Sequence, residues 1–232
     1  LTPKITKRFG YRTTAFLSQF TASLGLVMMG ILPTVMADKY LAICISAMVY
    51  AAGSGLMEVV LSPMVEILPS DNKRGSMQIL HSFYCWGQAF TIIVTTALVG
   101  VFGSKNWSFV PLIWAVIPFV NAFFFLKVPI IEPPADEKQA TFLELLKRHQ
   151  FRGYMLMMLC AGASEIAMAQ WASLFAQRGL GVDKVIGDLA GPCAFALFMA
   201  LGRVTYGINA KKLDFKKAMI IFSILASACY LG

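Results

Sequence analysis

Glu58 lies in AAGSGLMEVVLSPMVEIL, residues 51–68, where the surrounding side chains are apolar on every side of a helical wheel and leave no face for water. Its helical neighbours at i−3 and i+4 are Gly55 and Ser62, and the three together make a narrow polar stripe. Pro63 has no backbone N–H to donate, which frees a carbonyl in the preceding turn. The stretch therefore reads as a locally broken helix beside a cavity, with Glu58 and Ser62 able to hold a polar solute or a proton. A competing reading has Glu58 protonated and bonded to a neighbouring helix, with the glycines serving close helix packing. The carboxylate weighs towards the first reading.

A second isolated acid, Glu165, sits in LCAGASEIAMAQWASLF, where Gly162, Glu165, Ala169 and Ala172 share a small-residue face. It has the same two readings, as a binding or proton-carrying group or as a structural one. Trp171 points elsewhere and can stack on a ring of a solute or fill a helix contact. His81, Tyr84, Cys85, Gln88 and Thr91 recur at three- and four-residue steps and predict one polar face turned into a helical bundle. Gln88 is the best binding group on it, because an amide both donates to and accepts from a hydroxyl. His81 reads chiefly as a structural hydrogen-bonding group. Arg203, at the end of an apolar run, and Arg8, Gly10 and Arg12, in the basic opening, read as gating or loop residues.

Catalytic chemistry finds little support. The five cysteines show no CxxC or Cys/His spacing, and the two histidines are isolated, so no metal ligand or nucleophile–base pair is nominated. No GxxxxGK[ST] stretch signals nucleotide use. Catalytic residues, metals and cofactors are all expected to be none.

The elements that must position Glu58 and its companions are membrane helices. Of the 232 residues, 58% are hydrophobic and only 14% charged, which excludes an ordinary soluble domain. A span needs about 20 apolar residues, and about seven are expected: 13–32, 40–64, 78–102, 107–126, 153–176, 185–207 and 216–232, the last of them incomplete. If the opening segment faces the cytoplasm, the inside segments hold sixteen basic residues and the outside segments four. That distribution explains the net charge of +8 without nucleic acid. It places the first loop and residues 127–152 in the cytoplasm of a multi-pass cell-membrane protein. Within 127–152, KVPIIEPPADEKQ predicts an extended linker and TFLELLKRHQ a short amphipathic helix at the membrane surface. The chain opens without Met and stops inside an apolar run, so a piece of a longer protein is expected.

The opening LTPKITKRFGYRTTAFLSQF has a counterpart in YGINAKKLDFKKAMIIFSIL, and such parallel repeats are a known plan for transporters. On these stretches the chain resembles the major facilitator superfamily, twelve helices in two six-helix halves, with Thr6 where the family's loop carries an aspartate. Gly53, Gly55, Ser62 and Pro63, the stretch LHSFYCWGQ, and Gly162, Glu165 and Trp171 further resemble the fucose permease-like sugar transporters.

The resemblance implies an all-α polytopic membrane protein with residues 1–126 as helices three to six, 127–152 as a cytoplasmic linker and 153–232 as helices seven to nine. It implies secondary active transport of a small polar solute, possibly a sugar, by alternating access, working as a monomer when complete. Two buried acids, one in each half, suit proton coupling, since burial favours the neutral form of a carboxyl. On this expectation Glu58 and Glu165 approach one central cavity, with Gln88 on the same wet surface. A drug or lipophile exporter is the alternative within the class. An enzyme, or a receptor or structural membrane protein, are the readings outside it.

The topology is testable by thiol labelling in a background freed of the native cysteines. Cysteines introduced at Asn72 and Ser104 are expected to react with an impermeant reagent from the inside and the outside respectively; the reverse pattern inverts the orientation.

Overall fold

A computed structural model of the protein describes residues 2–131 and 141–231. Among them every regular element is helical: α1 (Thr2–Val35), α2 (Lys39–Ile67), α3 (Lys73–Phe102), α4 (Phe109–Lys127), α5 (Phe142–Lys147), α6 (His149–Gly179), α7 (Lys184–Asp188), α8 (Ala194–Asn209) and α9 (Phe215–Leu231), with a π-helical turn, Leu189–Cys193, joining α7 to α8. Six stretches are long and apolar enough to cross a bilayer, namely Arg8–Val35, α2, α3, α4, α6 and the continuous run Lys184–Asn209. These are six of the seven expected spans, and the seventh, the incomplete one at 216–232, falls on α9. α9 has 17 described residues, about 25 Å at 1.5 Å per residue, against a hydrocarbon core of about 30 Å.

The basic opening, expected as a loop, is helical. α1 begins at Thr2, and inside it only Gly10 leaves helical dihedrals, at φ 75° and ψ 164°. A positive φ suits a residue with no Cβ, so Gly10 ends one helical run and starts the next. The Thr14 hydroxyl donates to the Gly10 carbonyl at 2.7 Å, occupying the acceptor at the break. Lysine and arginine marked this segment as a topology signal, yet both are good helix formers.

The break expected at Pro63 is absent as well. α2 continues through the proline to Ile67, and the Ser62 hydroxyl lies 3.5 Å from the Glu58 carbonyl one turn back. In hydrocarbon, unwinding the turn would strip several backbone groups of partners, whereas the proline removes one donor.

Short polar side chains start the helices. Asp38 accepts from the Leu41 N–H at 3.0 Å, Asn72 from the Gly75 N–H at 3.0 Å, Asp183 from the Val185 N–H at 2.9 Å and Asp214 from the Lys216 N–H at 3.0 Å. Thr141 and Glu144 form a reciprocal capping box on α5, the short helix that TFLELLKRHQ predicts. The proline pair of the preceding linker lies outside the described residues.

The chain falls into two compact units, residues 1–68 with 93–167 and residues 69–92 with 168–232. In the first unit α1 is the central helix. Against α2, a Cβ on Gly25 would lie 2.3 Å from the Tyr50 nitrogen, and one on Gly53 would lie 2.4 Å from the Ala22 nitrogen. The Ser18 hydroxyl donates across this seam to the Gly53 carbonyl at 2.9 Å. Against α4, the Ser23 hydroxyl donates to the Ala115 carbonyl at 2.9 Å. Ala15, Met57 and Val60 form a buried cluster, with Tyr11, Leu61, Met64 and Phe125 around it. Trp114 on α4 donates to the Thr95 hydroxyl on the later part of α3 at 2.9 Å. In the second unit the early part of α3 packs on α8 through Ala89, Cys193 and Ala196.

Two glycines of similar sequence context separate close packing from open space. Alanine normally stabilises a helix relative to glycine by roughly 0.5–1 kcal/mol, and Gly55→Ala is expected to do so, because its Cβ would meet nothing within 4 Å. Gly25→Ala is expected to cost about 1–3 kcal/mol by overpacking. Thermal unfolding of the two variants in detergent should move the midpoint in opposite directions.

Candidate functional site

Glu58 lies on the face of α2 that turns away from α1. The packed face carries Ala42, Ser46, Gly53, Met57 and Val60, all buried. Gly55 and Glu58 are exposed and Ser62 is half-buried, and the space beside Gly55 is empty out to 4 Å. Gly53 is therefore a packing glycine and Gly55 is not. The polar stripe that the i−3 and i+4 spacing predicts borders open space along an otherwise apolar helix.

On α6, Gly162, Glu165, Ala169 and Ala172 are half-buried, while Ser164, Ile166, Ala167 and Met168 are exposed. The expected small-residue face is thus the more enclosed side, although no atom lies within 4 Å of where a Cβ on Gly162 would stand. Ser164 donates back to the Cys160 carbonyl at 3.0 Å. Trp171 is 61% exposed.

The polar stripe on α3 is not one inward face. Its buried residues are Gly75, Ser82, Cys85 and Ala89, whereas Tyr84 and Thr91 are exposed and His81 and Gln88 half-buried. Three small residues at seven-residue intervals, Gly75, Ser82 and Ala89, govern how α3 is packed, because they let another helix come close. Polarity did not decide the orientation. Gln88 nevertheless has an enclosed amide oxygen with no hydrogen-bond partner, and so does the Tyr206 hydroxyl on α8. Both lie in the second unit, where they are orphaned among the buried side-chain polar atoms of the described residues.

Two of the arginines, Arg203 and Arg12, bond to other elements. Arg203 donates from its guanidinium to the His81 carbonyl at 3.4 Å and lies 3.4 Å from the Met199 sulfur. Arg8 stands 5.4 Å from the centre of the Phe9 ring. Arg12, just beyond the Gly10 break, donates to the Val128 carbonyl at 3.2 Å.

Two polar clusters escaped the sequence reading. Asn72 caps α3 and also donates through Nδ2 to the Gly207 carbonyl on α8 at 3.3 Å, where a Cβ on Gly75 would come 2.5 Å from that same carbonyl. The cap was legible in DNKRG, but the link to Gly207, far along the chain, was not. Ser173, Lys184 and Asp188 form the second cluster. Lys184 and Asp188 pair at 2.8 Å, and the Ser173 hydroxyl on α6 bonds the Asp188 carboxylate. The i,i+4 spacing of the charged pair was the available signal.

Two open surface grooves contain no candidate residue. One, of about 350 Å³, is lined by Phe102, Phe109, Leu112, Ile113 and Val116; the other, of about 220 Å³, by Phe119, Val120, Phe123, Phe124 and Lys127. Among the described residues no group of His, Cys, Asp and Glu is arranged to hold a metal ion.

Apolar helices of spanning length, with isolated polar groups set into them, define an all-α multi-pass membrane protein. The family model of the Major Facilitator Superfamily matches residues 2–232, and the chain belongs to that family of membrane solute transporters. No curated protein and no solved structure matches it.

Asn72 offers a graded test of the α3–α8 contact. Asn72→Asp keeps the acceptor for the Gly75 N–H and loses the donor to Gly207, while Asn72→Ala loses both. Each lost hydrogen bond is expected to cost about 1 kcal/mol, so unfolding midpoints should fall in the order parent, Asp variant, Ala variant. Equal midpoints for the Asp variant and the parent would remove the link to Gly207 from the account.

Proposed function

We propose that the chain moves a small polar solute, a sugar foremost, by alternating access coupled to protons, with Glu58 as the principal coupling group. The observation that carries this reading is the position of Glu58 on the open face of an apolar helix, opposite the face packed on α1. A carboxylate presented to hydrocarbon costs about 3 kcal/mol on insertion scales. A water-filled path along that face removes most of the cost. Gly55 leaves room beside it, and the Ser62 hydroxyl adds a polar group one turn away.

Glu165 is the second proposed proton-carrying group. In the other unit, Gln88 and Trp171 are proposed to serve the solute. The unpartnered amide oxygen of Gln88 accepts from a hydroxyl, and the exposed indole of Trp171 offers a face for a sugar ring. Arg8, Gly10, Arg12 and Arg203 are proposed as cytoplasmic gating or loop residues. In this reading the protein works as a monomer in the cell membrane, with residues 1–126 and 153–232 as parts of the family's two bundles and 127–152 on the cytoplasmic side.

The coupling follows from solvation. A carboxyl group opened to water favours its anion, and one enclosed by apolar surroundings favours its acid. A carrier that opens the same group first to one side and then to the other therefore takes up and releases a proton with each change of side.

Proteoliposomes test this, once a binding screen over polar solutes has supplied a ligand. An imposed pH gradient is expected to drive accumulation in the parent. Glu58→Gln should lose that accumulation while retaining solute exchange, because a permanently neutral side chain still binds. Unchanged proton-driven accumulation in both Glu58→Gln and Glu165→Gln would reject these carboxylates as couplers.

A further inference from the structure

The early turns of α1 and the late turns of α4 carry matching ladders. On α1, Arg12, Phe16 and Phe20 follow one another at four-residue steps, and on α4, read backwards, so do Lys127, Phe123 and Phe119. Four-residue steps keep each ladder on one helix face. Phe16 meets Phe123 edge-on at 5.8 Å and stacks on Phe20 at 6.0 Å; Phe20 lies 6.4 Å from Phe119, which meets Phe123 at 5.2 Å. The four rings form a closed circuit across the two helices. At its end the Arg12 guanidinium reaches the carbonyl of Val128, the residue after Lys127, so both cationic residues lie at the same end of an aromatic wall.

This wall is not a sealed core. Phe20, Phe119, Phe123 and Lys127 are all exposed, as is Arg12. The groove of about 220 Å³ runs along the α4 ladder and ends at Lys127. Each ladder rises eight residues, about 12 Å along the helix axis. That length lies within one leaflet of a bilayer whose hydrocarbon core is about 30 Å thick.

We propose that this surface binds one anionic phospholipid, its headgroup phosphate between Arg12 and Lys127 and an acyl chain lying along Phe123 and Phe119. Charge complementarity selects the headgroup. Arg12 and Lys127 have no ion-pair partner among the described residues. A guanidinium and an ammonium at the end of apolar spans reach the level of the phosphates by extending their side chains. An open aromatic groove leading from that level into hydrocarbon suits an acyl chain rather than a soluble anion. Aromatic rings at a membrane interface, by contrast, do not themselves distinguish one lipid charge from another. The cations supply that preference, and the rings supply contact common to all lipids.

Native mass spectrometry of the full-length protein in detergent, titrated with dioleoyl phosphatidylglycerol or dioleoyl phosphatidylcholine, separates the two contributions. The parent is expected to retain the anionic lipid more tightly, and Arg12→Gln with Lys127→Gln to lose the preference, at about fivefold in affinity for each cation. The exchanged pair Arg12→Lys with Lys127→Arg should keep it, and Phe123→Ala should weaken both lipids alike. Lys216→Gln with Lys217→Gln changes the net charge equally, on residues of the second unit that do not line the groove, and should leave the preference intact. Millimolar inorganic phosphate should not displace the lipid. Equal retention of both lipids by the parent, an equal loss in the Lys216/Lys217 control, or displacement by phosphate would each overturn the proposal.

Discussion

Hydrocarbon offers a polypeptide no hydrogen-bonding partner, and the architecture follows from that lack. It makes every regular element among the described residues a helix. It keeps α2 helical through Pro63, because opening the turn would expose more backbone than the proline already has. Several helix hydroxyls are likewise turned back on their own helix: Ser46 donates to Ala42, Ser54 to Tyr50 and Ser227 to Ser223, each to the carbonyl four residues earlier. Against this background of local satisfaction, a carboxylate on an open helix face and an enclosed amide oxygen without a donor are exceptions.

With no hydrophobic drive between helices inside a bilayer, close approach decides which faces meet. Gly25 and Gly53 bring α1 against α2 until only a hydrogen atom fits, and Gly75 and Gly207 do the same for α3 and α8. The hydroxyl of Ser18 and the amide of Asn72 then reach carbonyls across these seams, which larger neighbours would hold out of range. Small residues and interhelical hydrogen bonds are therefore parts of one device.

The number and type of elements were largely legible, since length and apolarity suffice to mark a spanning helix. Starts and stops were not. The helix before Gly10 was hidden by its charges. Faces were harder still. On α2 and α6 the small polar residues do share a side, as their spacing says. On α3 the polar spacing pointed one way and the small residues another, and packing followed the small ones. Partners remote in sequence, such as Asn72 with Gly207 or Arg12 with Val128, leave no periodic trace, because a side chain's reach across a seam depends on how two backbones are brought together.

The serines of α1 carry one more consequence. Ser18 is bonded to the backbone of α2 and Ser23, five residues further on, to the backbone of α4. In mechanical terms α1 is then a stiff spine loaded from both flanks, and the three helices bend or tilt as a single beam. Elastic compliance in this unit must be sought at its edges, at the Gly10 break and in the turns between spans, and not along the seams where the helices touch.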